Sequence, residues 1–387
     1  MPALTNVIEK TWDSERLRVQ RLEKLREAMK QKGVGSLLLK DWVNALYAIN
    51  TRIPSGQTFV PPEGRCISFT RPMDDGYVSA AGVETRPTIY LGNPSSDTDG
   101  NNKGRWAAAI KDLMIESGVG DQPLGVDQLD PEGTVALYEA GIKMVNARPI
   151  LQAAASIKTE DEILIYWQTG KIYDRIMPQF RDALTPGMTE REMISYIYSE
   201  VVAMGGEGLL QINVCGGENT WPWKRWPTER QFQDGDLVGM DLHVYGPGGY
   251  VYDASRTYLC GSKSNDTQKD LYRRAVDYNN TCINLLKPGG SITEWVESLP
   301  KPLKKHEEAC YSFHMIHSNG LTPGEYPNVE KRHKIIEDTF KENQVLTLDC
   351  YFGESGYPEA VKLEELVLLT KDGPVKMANM PYEDRLL

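Results

Sequence analysis

The 387-residue chain has no apolar run approaching the roughly 20 residues that a membrane helix needs. Its first residues, Met-Pro-Ala-Leu-Thr-Asn, lack the charged-then-apolar order of a secretory signal. No Cys-x-x-Cys occurs. The six cysteines, at 66, 215, 260, 282, 310 and 350, are scattered, which excludes a zinc ribbon and reads as reduced, mostly buried thiols. Positive charge is in deficit: 43 Lys and Arg against 54 Asp and Glu leave −11, a poor match for nucleic acid or an acidic membrane. These absences predict a cytoplasmic globular protein. Its 40% hydrophobic and 25% charged residues are ordinary for that class, and its length allows about two domains.

Periodicity predicts a helix over 13–33, with Leu17, Leu22, Leu25 and Met29 on one face, then a strand at 34–39 and a helix at 41–50. Strand-like runs recur at 66–69, 88–91 and 123–127, and helical ones at 106–118 and 130–140. Alternating elements give an α/β domain over residues 1–155. From 156 to 387 the pattern changes. Thr159 caps a long helix with Glu162 at the capping-box position, and further helices follow at 189–204, at 265–287 and after Ser291. Strand-rich segments run from about 207 to 261, and two more strands flank a Gly-Glu-Ser-Gly turn within 344–372. The second domain, and the chain as a whole, reads as α+β. No internal repeat is visible.

In or beside hydrophobic strand-like runs the chain places Asp241, His243, Asp253, His317, Asp349 and Glu364. Carboxylates amid buried strands are costly unless a cation lies between them. Four carboxylates and two imidazoles make a mixed oxygen and nitrogen cage for one or two divalent ions, so an enzyme is expected. Asp241 and His243, two apart on a strand, share a face, which allows joint ligation; an ordinary buried histidine is the alternative. Cys350, next to Asp349, is expected on the opposite face.

The order of these motifs resembles the pita-bread superfamily of methionine aminopeptidase, aminopeptidase P, prolidase and creatinase. Its pattern is here Asp241, Asp253-Ala-Ser-Arg256-Thr, His317-Ser-Asn-Gly320-Leu-Thr-Pro-Gly324-Glu325-Tyr-Pro327, Asp349 and Glu364. The resemblance implies a creatinase-like N-terminal domain and a pita-bread C-terminal domain. It also implies two divalent ions (Fe, Mn, Zn or Co) and a homodimer. Asp241 and Asp253 would hold one ion and His317 and Asp349 the other, with Asp253 and Glu364 between them.

The departures from that pattern narrow the function. Prolyl peptidases of this superfamily carry a histidine before the first metal aspartate, where this chain has Trp221-Pro222-Trp223-Lys-Arg-Trp226, and another after the metal histidine, at Gly324. Those histidines move protons in peptide hydrolysis. Similar departures mark the superfamily's bacterial dimethylsulfoniopropionate lyases, which also place an aspartate where His243 stands. The resemblance therefore implies a carbon–sulfur lyase acting on a small zwitterion. Xaa-Pro dipeptide or small-amide hydrolysis is the alternative, and a catalytically silent binding module a third reading. Trp221, Trp223, Trp226 and Tyr252 are candidate sulfonium-binding aromatics, with packing as the alternative. Glu325, Tyr245 and Trp223 are candidate catalytic groups, because the lyases' aspartate base is replaced here by Gly324. His314 and Arg256 are candidates to support the ligands from behind.

Overall fold

The computed structural model describes residues 6–53, 57–91, 97, 99–300, 314–330 and 337–387. The chain divides into two units, Asp13–Ala155 and Met1–Trp12 with Ser156–Leu387. The described residues before Asp13 thus go with the second unit: the Val7 amide donates to the Met204 carbonyl at 3.0 Å.

The first unit carries helices α1 Ser14–Gln31, α2 Trp42–Ile49, α3 Asp75–Ala80, α4 Asn102–Glu116, α5 Pro131–Glu139 and α6 Arg148–Ser156. Its strands are β1 Ser36–Leu39, β2 Gln57–Val60, β3 Ile67–Thr70, β4 Glu84–Pro87, β5 Leu124–Val126 and β6 Met144–Asn146. They form one sheet in the order β4-β3-β2-β1-β5-β6, antiparallel at β1–β2 and β2–β3 and parallel elsewhere. Asp13 starts α1 by accepting the Glu15 and Arg16 amides, and Leu17, Leu22, Leu25 and Met29 are buried on the expected face. The strand expected at 88–91 lies earlier, at β4, and ends at Pro87, which has no amide for a ladder.

The second unit opens with α7 Glu160–Ala183 and α8 Glu190–Ala203, followed by strands β7 Gly208–Gly216, β8 Leu237–Tyr245 and β9 Val251–Leu259. Next come α9 Asp266–Asn284 and α10 Ile292–Ser298, then β10 His314–Asn319, β11 Pro323–Glu330, β12 Val345–Gly353, β13 Ala360–Thr370 and β14 Gly373–Lys376. Capping boxes at Thr159/Glu162, Thr189/Glu192 and Asn265/Gln268 start α7, α8 and α9. The strands make two sheets, β7-β8-β9 and β11-β10-β12-β13-β14. Side chains tie the sheets together. Thr257 of β9 accepts the Lys362 amide at 3.0 Å and donates to its carbonyl at 2.9 Å, and Thr347 donates to the Asp253 carbonyl at 3.1 Å.

Each ligand-bearing strand alternates. On β12 and β13, Leu346, Leu348, Cys350, Val361, Leu363 and Val367 enter one core with α9 and α10. On β9, Tyr252 stacks on Tyr173 of α7, ring centroids 4.2 Å apart. The opposite face of these strands is left for polar side chains. Among the described residues no helix is long and apolar enough to cross a membrane.

Candidate metal centre

Strand register assembles the polar face. On β8 and β9, His243 lies directly opposite Asp253 and Asp241 opposite Ser255; on β12 and β13, Asp349 lies opposite Glu364. His317 enters from β10. The His243 Nε2 atom is 3.3 Å from Asp241 Oδ1 and 3.0 Å from Asp253 Oδ1, and His317 Nε2 is 3.4 Å from Asp253 Oδ2. One imidazole therefore stands at each oxygen of Asp253. All six side chains line one cavity of 190 Å³, together with Gln211, Trp223, Arg225, Pro323, Gly324 and Lys362.

The electrostatics follow from burial. Burial and the neighbouring Glu364 push the Asp253 and Asp349 carboxyls well above the usual carboxylate range. Burial would also raise Asp241, but the Lys362 ammonium and His243 outweigh it and hold that group well below the range. Burial lowers His243, while Asp253 and Asp241 lift it to about 9. Asp241 is further fixed by Asn213 Nδ2 at 3.2 Å and Gln211 Nε2 at 3.4 Å.

The residues fit divalent metal. Two groups, Asp241–His243–Asp253 and Asp253–His317–Glu364, each bring three ligand atoms within 4.8 Å of one another, and Asp253 belongs to both. Asp253 Oδ1 and Asp349 Oδ1 are buried and accept no hydrogen bond. Two carboxylates facing each other across a strand pair, Asp349 and Glu364, are unfavourable without a cation between or beside them. Asp349 lies in neither ligand group.

Trp223 is positioned by the strand beneath it. Its ring lies over Gly239, where a Cβ would meet Cζ3 and Cη2 at 2.7 Å, so the glycine two residues before Asp241 is the seat of the indole. The loop carrying Trp223 is pinned by buried Glu190 of α8. That carboxylate accepts the Gly216 amide at 3.1 Å, Asn219 Nδ2 at 2.8 Å and the Thr228 amide at 2.8 Å.

Several expected site residues lie elsewhere. Tyr252 occupies the face of β9 opposite Asp253 and packs on Tyr173, outside the cavity lining; alternation with Asp253 dictates this. Arg256, on that same face, donates to the Glu364 carbonyl behind the ligands. Trp226 is 83% exposed, and Trp221 packs 5.5 Å from the Tyr351 ring; neither lines the cavity. Tyr245 shares the face of Asp241 and His243 but lies at the strand end, outside the lining. Glu325 is turned away to Lys158 Nζ at 3.2 Å, packed so closely on Gly320 that a Cβ there would lie 2.0 Å from Oε1. That corrects its expected role as a base: its partner is a buried ammonium. The His314 side chain lies outside the described residues. Glu325→Gln is accordingly expected to cost about 1–3 kcal/mol of stability by removing the carboxylate paired with buried Lys158. Activity per folded molecule should stay within about threefold, a small change on the scale of ~1.4 kcal/mol per decade. A thermal melt beside a kcat measurement checks both, and a large kcat loss at unchanged melting would restore the base role.

Lys362, two residues before Glu364, is among the lining residues that sequence reasoning missed, with Gln211 and Arg225. It is fully enclosed, and alternation along β13 was the available signal.

With this geometry in hand, the comparisons with known proteins are consistent. The model of metallopeptidase family M24 matches residues 165–371. Dimethylsulfoniopropionate lyase DddP of Roseovarius nubinhibens is 24% identical over 402 residues, covering 97% of this chain and 88% of that protein. The probable dipeptidase PepE of Mycobacterium bovis is 25% identical over 248 residues, covering 63% of this chain and 64% of that protein. Among solved structures, an Xaa-Pro dipeptidase from Bacillus anthracis superposes with a TM-score of 0.78 at 20% identity, covering 95% of this chain and 99% of that one. A prolidase from Pyrococcus horikoshii gives 0.77 at 18% identity, covering 94% of this chain and 99% of its own. With its family match spanning more than half the chain and its ligand side chains gathered in one cavity, the protein belongs to metallopeptidase family M24, as a metalloenzyme of the pita-bread fold.

Proposed function

We propose that the protein is a metal-dependent lyase that cleaves a small sulfonium zwitterion such as dimethylsulfoniopropionate into dimethyl sulfide and acrylate. One observation carries this reading: Trp223 and Gly324, standing where the prolyl peptidases' two histidines are expected, both line the cavity. An amine leaving from a peptide must be protonated, whereas a sulfonium leaves as a neutral thioether and needs no acid. The likeness to the DddP lyase over 97% of the chain supports the same reading. So does the cavity, whose 190 Å³ falls below the roughly 300–1,000 Å³ of sites for larger ligands.

In this mechanism Asp241, His243, Asp253, His317 and Glu364 would hold two divalent ions, which would supply Lewis-acid charge beside the substrate carboxylate. The indole face of Trp223, seated on Gly239, receives the sulfonium. The α-proton passes to Asp349, the lining carboxylate outside both ligand groups, in the ionised form that the Lys362 ammonium 3.4 Å away favours. The Cα–H electron pair becomes the new double bond, and the Cβ–S pair leaves with the sulfide. The same proposal includes a cytoplasmic homodimer.

Dipeptide hydrolysis is the second reading, favoured by the likeness to PepE. Protein loaded with Fe, Mn, Zn or Co and offered dimethylsulfoniopropionate or Gly-Pro in parallel separates them. Dimethyl sulfide without dipeptide cleavage is the expected result, and cleavage of Gly-Pro alone would sink the lyase reading.

A further inference from the structure

The indole of Trp223 is placed by packing. Among the described residues its buried Nε1–H meets no acceptor, so no hydrogen bond sets the angle of the ring. Gly239 seats it from one side. Tyr351 braces it from another: the two ring planes stand at 85°, with centroids 6.0 Å apart. The same phenol ring lies 5.5 Å from that of Trp221, so it meets both indoles of the loop.

Tyr351 is buried and lies outside the cavity lining, so it can act on a ligand only through Trp223. It stands on β12 two residues after Asp349, on the same face, and opposite Lys362 of β13. Its hydroxyl donates to the Thr220 carbonyl, one residue before Trp221. The Thr220 hydroxyl accepts the amide of Ala360, the first residue of β13, at 3.0 Å. The loop that carries Trp223 is thereby fastened to the two strands that carry Asp349 and Glu364. A cation–π contact needs the cation over the ring face, within about 6 Å of its centre, so the tilt of the indole decides its strength.

We propose that Tyr351 is a positioning residue that sets the cation selectivity of the cavity. It holds the Trp223 ring at one tilt relative to the carboxylate-bearing strands, and so fixes where a positively charged head group can sit. The ligand class is a small carboxylate with a compact onium group on its β-carbon. This inference deepens the proposed function and rests on Trp223 as the wall that receives the sulfonium.

The test needs no turnover. Full-length protein loaded with Mn²⁺ is titrated by calorimetry with 3-(trimethylammonio)propionate and with 4,4-dimethylpentanoate, which has the same carboxylate and shape but carbon in place of the charged nitrogen. The ratio of the two affinities reads the contact with the ring. Trp223→Leu should lower that ratio at least about fivefold, the ~1 kcal/mol of a cation–π contact. Tyr351→Leu should lower it about threefold or more while leaving the affinity for the uncharged head within about twofold. Tyr351→Phe, which keeps the ring, should hold the ratio within about twofold of wild type. If Tyr351→Leu does not fold, Tyr351→Met, nearer the ring in volume, takes its place. A ratio lowered by Trp223→Leu but unchanged in the folded Tyr351 variant overturns the role of Tyr351 alone. Equal loss for both ligands in that variant reveals a merely structural residue and overturns it too. Wild type that binds neither ligand, or a ratio that Trp223→Leu leaves unchanged, removes the cation wall and with it both this inference and the sulfonium reading. Ratios that behave as expected without dimethyl sulfide release leave the role of Tyr351 standing and remove only the lyase assignment.

Discussion

Asp253→Asn is expected to purify without divalent metal and to lose at least about 10³-fold in kcat, or ~4 kcal/mol of transition-state stabilisation. Asp253 is the one residue common to both ligand groups, with an imidazole at each oxygen. Asparagine keeps the shape of the side chain but supplies no anionic bridge. The fold should tolerate the change: burial and Glu364 already disfavour the ionised carboxylate, so removing its charge relieves repulsion. Two measurements separate lost metal from lost structure. Wild-type melting should rise on adding Mn²⁺ or Zn²⁺, by about 2.7 kcal/mol of stability at a hundredfold excess over Kd, while the variant's should not move. Metal content at the wild-type level in the variant would show that the bridge lies elsewhere.

Arg256→Met is the change with the largest expected effect on stability, a loss of about 3–5 kcal/mol, as for breaking a buried ion pair by removing one partner. The guanidinium is fully buried and pairs with Glu365. It also donates to the carbonyls of Ser255 at 2.9 Å, Glu364 at 3.0 Å and Met380 at 3.0 Å, and lies 4.9 Å from the centre of the Tyr382 ring. These contacts bind β9, β13 and the C-terminal segment together, and lysine cannot reproduce the planar fork that makes them. At about 2–4 °C per kcal/mol for a domain of this size, the melt should fall by roughly 6–20 °C. Metal uptake should fall with it, because Ser255 and Glu364 are next to or within the centre. A melt within about 1 °C of wild type would contradict this account of Arg256.

The ligand set was legible because its residue types are expensive in strands and their spacings obey alternation: Asp241 with His243, and Asp349 across from Glu364. The first helix of the second unit was legible from its capping box at Thr159 and Glu162. The errors came from applying alternation incompletely. The rule that puts Asp241 and His243 on one face puts Tyr252 opposite Asp253, and Lys362 beside Glu364. Tyr252 was nevertheless expected at the substrate, and Lys362 was not singled out. The fate of Glu325 was beyond reach of local pattern, since its partner Lys158 is 167 positions away. The short β2 and β6 were not read, although β1, β3 and β5 of the same length were.

The paired hairpins also set the terms on which this chain can gain or lose residues. Five residues, 246–250, join β8 to β9, and six, 354–359, join β12 to β13. Both turns lie at strand ends beyond the ligands. A residue inserted into either turn changes loop length and leaves the cross-strand partners His243–Asp253 and Asp349–Glu364 in place. A single deletion between Asp241 and His243, or between Lys362 and Glu364, turns one side chain of the pair to the helix-covered face. Length variation among homologues should therefore collect at the two turns and be absent from the strand segments between ligands.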